Sequence, residues 1–112
     1  MIQELSFANS ATAEIALTHE DPVWCRAPAL ATGTTQLLFE ASVDGGITWD
    51  PVYDDTGTQF SVPVSDSAPS RVQLSPDKMM RLGLWRLRAV DGSGVDVLQT
   101  ATVYVGMRSF GA

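Results

Sequence analysis

The stretch from Leu84 to Val105, Leu84-Trp85-Arg86-Leu87-Arg88-Ala89-Val90-Asp91-Gly92-Ser93-Gly94-Val95-Asp96-Val97-Leu98-Gln99-Thr100-Ala101-Thr102-Val103-Tyr104-Val105, decides the fold class. Trp85, Leu87 and Ala89 alternate with Arg86 and Arg88, a period of two that marks a strand with one buried and one polar face. Asp91-Gly92-Ser93-Gly94 supplies turn chemistry. The sequence after the turn places Val97, Ala101, Val103 and Val105 on one face and Leu98, Thr100, Thr102 and Tyr104 on the other. The expected element is a strand, a turn and a return strand.

Working toward the N-terminus, the same period recurs. Leu37, Phe39 and Ala41 alternate with Gln36, Leu38 and Glu40, and Ala13, Ile15 and Leu17 alternate with Glu14, Ala16 and Thr18. Alanines around Ser10 to Glu20 would allow a helix, but β-branched Thr12, Ile15 and Thr18 fit the strand period better. Phe60, Val62 and Val64 form a further run, and Pro63 within it marks an edge strand or bulge because it cannot donate to a ladder. Val72 and Leu74 end at Ser75-Pro76-Asp77, where a turn or single helical turn is expected through Lys78-Met79-Met80. Seven or eight short strands at hairpin spacing predict an all-β, antiparallel β-sandwich, jelly-roll or Ig-like, forming one domain over residues 1–112. Residues 20–35 (Asp21-Pro22, Ala27-Pro28, Gly33) carry the least pattern and read as a long connection or an extended arm.

The 112 residues are 45% apolar and 18% charged, enough hydrophobicity for one core without disulfide or metal. One Cys excludes an internal disulfide and a thiolate-rich zinc site, and one His excludes multi-histidine centres within one chain. The net charge of −6 argues against nucleic acid as a partner. Residues 1–70 hold ten acids against the single base Arg26, a net of −9, whereas residues 71–112 hold three acids against six bases, a net of +3. Such a chain can pair head to tail with copies of itself, unless interleaved strands erase the asymmetry in space. The start Met1-Ile2-Gln3-Glu4 lacks the basic, apolar pattern of a signal peptide, and no run approaches a membrane span. The expectation is synthesis in a cytoplasm with Cys25 reduced, and no membrane partner.

Ser42-Val43-Asp44-Gly45-Gly46-Ile47-Thr48-Trp49 is the sharpest local motif. It resembles the Asp-box, Ser-x-Asp-x-Gly-x-Thr-Trp, with Ser42, Asp44, Gly46, Thr48 and Trp49 at the five defining positions. Asp44 is suited to accept hydrogen bonds from turn N–H groups, Gly45 and Gly46 to positive φ, and Trp49 to fold over the turn. In sialidases and other propellers the box repeats and is structural; one copy cannot build a propeller. Asp44, Asp50, Asp54 and Asp55 gather around it, either as a calcium site or as turn residues, and Asp54-Asp55-Thr56-Gly57 reads as a β-turn. Catalytic residues are not evident: there is no nucleophile elbow, phosphate loop or dinucleotide fingerprint, and a Cys25–His19 dyad is the only pairing that can be drawn. No cofactor and no metal is expected.

Leu38 to Trp49 and the later Leu84 to Ala89 strand together resemble small β-sandwich virion proteins of tailed bacteriophages, which decorate or cement capsids or serve as tail adaptors and fibre modules. The resemblance covers about residues 35–105, in pattern. It implies a non-enzymatic capsid decoration or cement protein that stabilises capsomer joints, located in the virion after synthesis in the host cytoplasm. Its partners would be the major capsid protein, other virion proteins and further copies of itself, possible as trimers. A tail or neck adaptor or fibre module, or a carbohydrate-binding module stacking sugars on Trp24, Trp49 or Tyr53, are the alternatives. Trp24, Arg26, Arg86, Arg88, Arg108 and Phe110, with segment 20–35 and the termini, are the expected interface.

Overall fold

The structure is a computed structural model that describes residues 2–15, 20–74 and 84–109. Nine strands are present among them: β1 (Ile2–Ser6), β2 (Thr12–Ile15), β3 (Glu20–Ala27), β4 (Gln36–Ser42), β5 (Asp50–Pro51), β6 (Ser61–Pro63), β7 (Ser70–Gln73), β8 (Leu84–Val90) and β9 (Thr102–Ser109). They form two antiparallel sheets packed as a β-sandwich. One sheet has the order β1-β9-β3-β7; the other runs β2-β8-β4-β5, with β6 also paired to β4.

Alternation places the core. Leu37 and Phe39 of β4, Trp85, Leu87 and Ala89 of β8, and Val103, Val105 and Met107 of β9 are buried, joined by Leu5, Phe7, Cys25, Ala27 and Val62. Each fully buried large side chain contributes about 1.5–3 kcal/mol relative to exposure. Trp85 is 1% exposed, and its ring meets Phe39 with centroids 5.3 Å apart and planes tilted by 42°, within the range where aromatic pairs attract. Pro63 is exposed in β6, which pairs only with β4, an edge position as its missing N–H requires.

Two expectations are corrected. Residues 20–35 are not one long connection or arm: 20–27 form a strand, and only 28–35 connect it to β4. Their first half is β3, hydrogen-bonded to β9 on one side and β7 on the other, with a register shift between Pro22 and Trp24. Pro22 lacks an N–H to give the ladder, and this irregularity obscures the strand period. The return strand after Gly94 is likewise not one hairpin arm. Residues 95–97 do turn back on β8, with Asp91 N–H donating to Val95 O and Val97 N–H to Ala89 O. The chain then leaves that sheet, bridges Ser10 through Gln99, and enters the opposite sheet as β9 between β1 and β3. The residues Ser75 to Met80, where a turn was expected, lie outside the described residues.

The crossover is held by a polar side chain. Gln99 is 1% exposed. Its Oε1 accepts from Ala31 N–H at 2.9 Å, and its Nε2 donates to Thr34 Oγ1 at 2.7 Å. Thr34 Oγ1 in turn donates to Ala31 O at 2.7 Å. One amide thereby joins the sheet-switching strand to the loop after β3, leaving its buried groups satisfied as interiors require.

β5 and β6 form a ribbon rather than two ordinary sheet strands. β5 pairs with Glu40 and Ala41, β6 with residues 36–38, and Tyr53 bridges Gln59 between them. The ribbon therefore springs sideways from β4 and ends in the turn at Asp54 to Thr58. Asp54 Oδ1 braces that turn by accepting from Thr56 N–H, Thr56 Oγ1 and Thr58 N–H at 2.9, 2.6 and 3.0 Å.

Candidate functional site

The Asp-box hairpin forms as its residues dictate. Asp44 accepts from Ile47 N–H at 3.1 Å and Thr48 N–H at 2.9 Å, and from the Ser42 and Thr48 hydroxyls. Ser42 Oγ accepts from Gly46 N–H at 2.8 Å. Gly45 and Gly46 have φ of 77° and 94°, values that favour glycine. Trp49 folds back so that its indole N–H donates to Gly46 O at 3.1 Å. The Thr48 hydroxyl first, then the Thr48 amide and the Ser42 hydroxyl, hold the Asp44 carboxyl down at about 2. Since its folded value lies below its unfolded one, the hairpin is fully supported above about pH 4 and loses this support as pH falls toward 2. The Thr48 amide proton shift should therefore titrate with a midpoint near 2; a midpoint near 4 would show that these donors do not hold the carboxylate.

The outer face of β4 and β8 is a closed charge ladder. Glu40 is 4% exposed and accepts from Arg86 Nε at 2.7 Å and Arg88 Nη1 at 3.2 Å; Arg88 Nε also meets Asp96 Oδ1 at 2.6 Å. The Arg86 guanidinium lies over the Trp49 ring, 4.5 Å from its centroid. Arg86 and Arg88, both candidates for an interface stripe, are thus bound to partners within the chain. Burying Glu40 is tolerable because both of its oxygens are bonded to cations.

The outer face of the other sheet is different. Because Cys25 and Ala27 of β3 and Val103, Val105 and Met107 of β9 point inward, Trp24, Arg26, Tyr104, Gly106 and Arg108 fall on the outside. Trp24 is in register with Gly106, and a Cβ built on Gly106 would lie 2.0 Å from the indole. Glycine is required here because the ring occupies that space. Arg71 of β7 lays its guanidinium over the same ring, 4.7 Å from the centroid, a cation–π contact. Arg26 and Arg71 stand directly opposite each other across β3 and β7 and line a shallow, open depression with Pro69 and Ser70. Among the described residues, none of Arg26, Arg71 and Arg108 has an ion-pair partner.

No protein-family model matches the chain, and no curated protein matches it.

The structure brings Trp24 and Arg26 together and separates them from Arg86 and Arg88, which lie on the opposite sheet. Arg71 and Tyr104 belong to this face and were not singled out; only the pairing of β3 with β7 and β9 reveals them. Phe110 and His19 lie outside the described residues. Cys25 is buried, and that burial pushes its thiol up to about 12, so no thiolate forms at neutral pH. Among the described residues no group of three or more acids, His or Cys is placed to hold a metal ion. Asp44 and Asp54 are engaged in their turns. Trp24 and Trp49 each carry a guanidinium over the ring, which leaves Tyr53, 55% exposed, as the open ring of the three considered for sugar stacking.

Proposed function

We propose that this chain is a non-enzymatic structural protein of a tailed-bacteriophage particle, a capsid decoration or cement protein that stabilises capsomer joints. The observation that carries the reading is the Trp24–Arg26–Arg71 face: arginines with no ion-pair partner among the described residues beside a tryptophan, on a sandwich whose opposite sheet pairs Arg86 and Arg88 with Glu40 and Asp96. Tryptophan, tyrosine and arginine are the residues that dominate protein interfaces. A rigid sheet presenting them loses little entropy on docking. Copies bound across joints would favour the assembled shell by mass action, since whatever binds the intact state stabilises it. The resemblance of Leu38 to Trp49 and Leu84 to Ala89 to small virion proteins supports the same reading.

Copy number decides it. Mass spectrometry of purified particles from the source of this sequence should find the protein in simple ratio to the major capsid protein. A count at a small multiple of three or six would instead place it in the tail or neck, where closed rings sit. Absence from the particle would overturn the proposal.

A further inference from the structure

We propose that the Arg26–Arg71 face is the docking site for the β5–β6 ribbon of a second copy of this chain, with the carboxylate of Asp55 received between the two guanidinium groups. The inference concerns association of the chain with itself and does not require the particle.

Two like charges directly opposite on neighbouring strands repel, and Arg26 and Arg71 hold that arrangement beside an open depression. A carboxylate seated between two guanidinium forks would relieve the repulsion and accept charge-assisted hydrogen bonds from both. Most described acids in the chain are already engaged. Asp44, Asp54 and Asp91 brace turns. Glu40 and Asp96 pair with Arg86 and Arg88. Asp66 accepts from Gly33 N–H at 2.8 Å. Apart from Glu20 and Asp21 of β3, whose side chains lie outside the description, Glu4, Glu14, Asp50 and Asp55 remain, all on exposed residues. Glu4 lies on the same sheet as the arginines, opposite Tyr104. Glu14 lies opposite Arg86 on the other sheet. Asp50 and Asp55 lie on the ribbon, and Asp55 stands at its tip, where a neighbour can be reached. The ribbon is braced by Asp54, so it meets a partner already shaped. Tyr53 of the ribbon, largely exposed, adds an aromatic surface beside the tip that can pack near Trp24. Among the described residues, the arginines without an ion-pair partner lie on one sheet, and two exposed acids, Asp50 and Asp55, lie on the ribbon paired to the other.

Sedimentation velocity on the purified chain tests this. The wild type is expected to associate with rising concentration, and less so as salt is raised. Arg71→Glu and Asp55→Arg should each weaken association by at least about tenfold, as loss of a close interfacial charge pair does, with melting unchanged. Asp55→Arg changes only an exposed turn tip, so it reports even if Arg71→Glu disturbs Trp24. The double variant Arg71→Glu/Asp55→Arg should recover association in part, because the pair between positions 55 and 71 is reversed and not removed while Arg26 stays unchanged. A wild type that stays monomeric at every concentration, or a double variant no better than the singles, would overturn the proposal. Particle copy number is read separately, so failure of self-docking is distinguishable from failure of the virion reading.

Discussion

Trp85→Ala is expected to cost about 3–5 kcal/mol, the range for removing a fully buried large aromatic. A domain of this kind has only about 5–15 kcal/mol in total, so the variant should be largely unfolded well below the wild-type melting temperature. The size of the effect follows from position. Trp85 lies on β8 between β2 and β4, opposite Ala41 and Ile15 in register, and its ring packs on Phe39. Truncation empties the centre of the sandwich, and strands on both sides are too firmly paired to collapse into the space. Trp85→Phe keeps most of the apolar volume and should cost about 1–2 kcal/mol. Urea unfolding of the three proteins checks the order; an alanine variant within about 1 kcal/mol of wild type would remove Trp85 from the core.

Gln99→Leu is the second large effect, at about 1–3 kcal/mol. The substitution suits the hydrophobic surroundings but strands the Ala31 N–H in the interior and removes a partner of Thr34. A buried donor left without an acceptor costs about 1–3 kcal/mol. Thr34 keeps its bond to Ala31 O, so its hydroxyl suffers less. Thr34→Val in the Gln99→Leu background should then cost less than Thr34→Val alone, because the two side chains share one network. Strict additivity in a thermal-melt cycle would show that the amide and hydroxyl act separately, contrary to the 2.7 Å contact between them.

Much of the sandwich was legible in the alternation of apolar residues. β4 and β8 read directly from Leu37, Phe39, Trp85 and Leu87, since each has a buried and a polar face. The hairpin at Ser42 to Trp49 was legible because all its donors and acceptors are local. The path of β9 was not. Val97, Ala101, Val103 and Val105 keep one parity through the switch between sheets, so the pleat continues while the partner strand changes, and period alone carries no sign of it. β3 was hidden by Pro22 and by a register shift. The candidate face was half legible: Trp24 and Arg26 could be marked as interface residues, but Arg71 and Gly106 reach them only through pairings between distant segments. Glu40 as the shared partner of Arg86 and Arg88 likewise needed the register of β4 against β8.

The place of β9 between β1 and β3 has a kinetic consequence. Residues 2–6 and 20–27 join one sheet only when residues 102–109 arrive between them. That sheet has no local hairpin from which to start, whereas β8 and residues 95–97 can zip up early around the Asp91 turn. Closing long loops before any contact rewards them slows folding, and chains dominated by such pairings fold in milliseconds to seconds. The rate-limiting step should therefore be insertion of β9. Until it happens, β1 and β3 each expose an unpaired edge to neighbouring chains, which makes the half-folded protein the species most prone to aggregate.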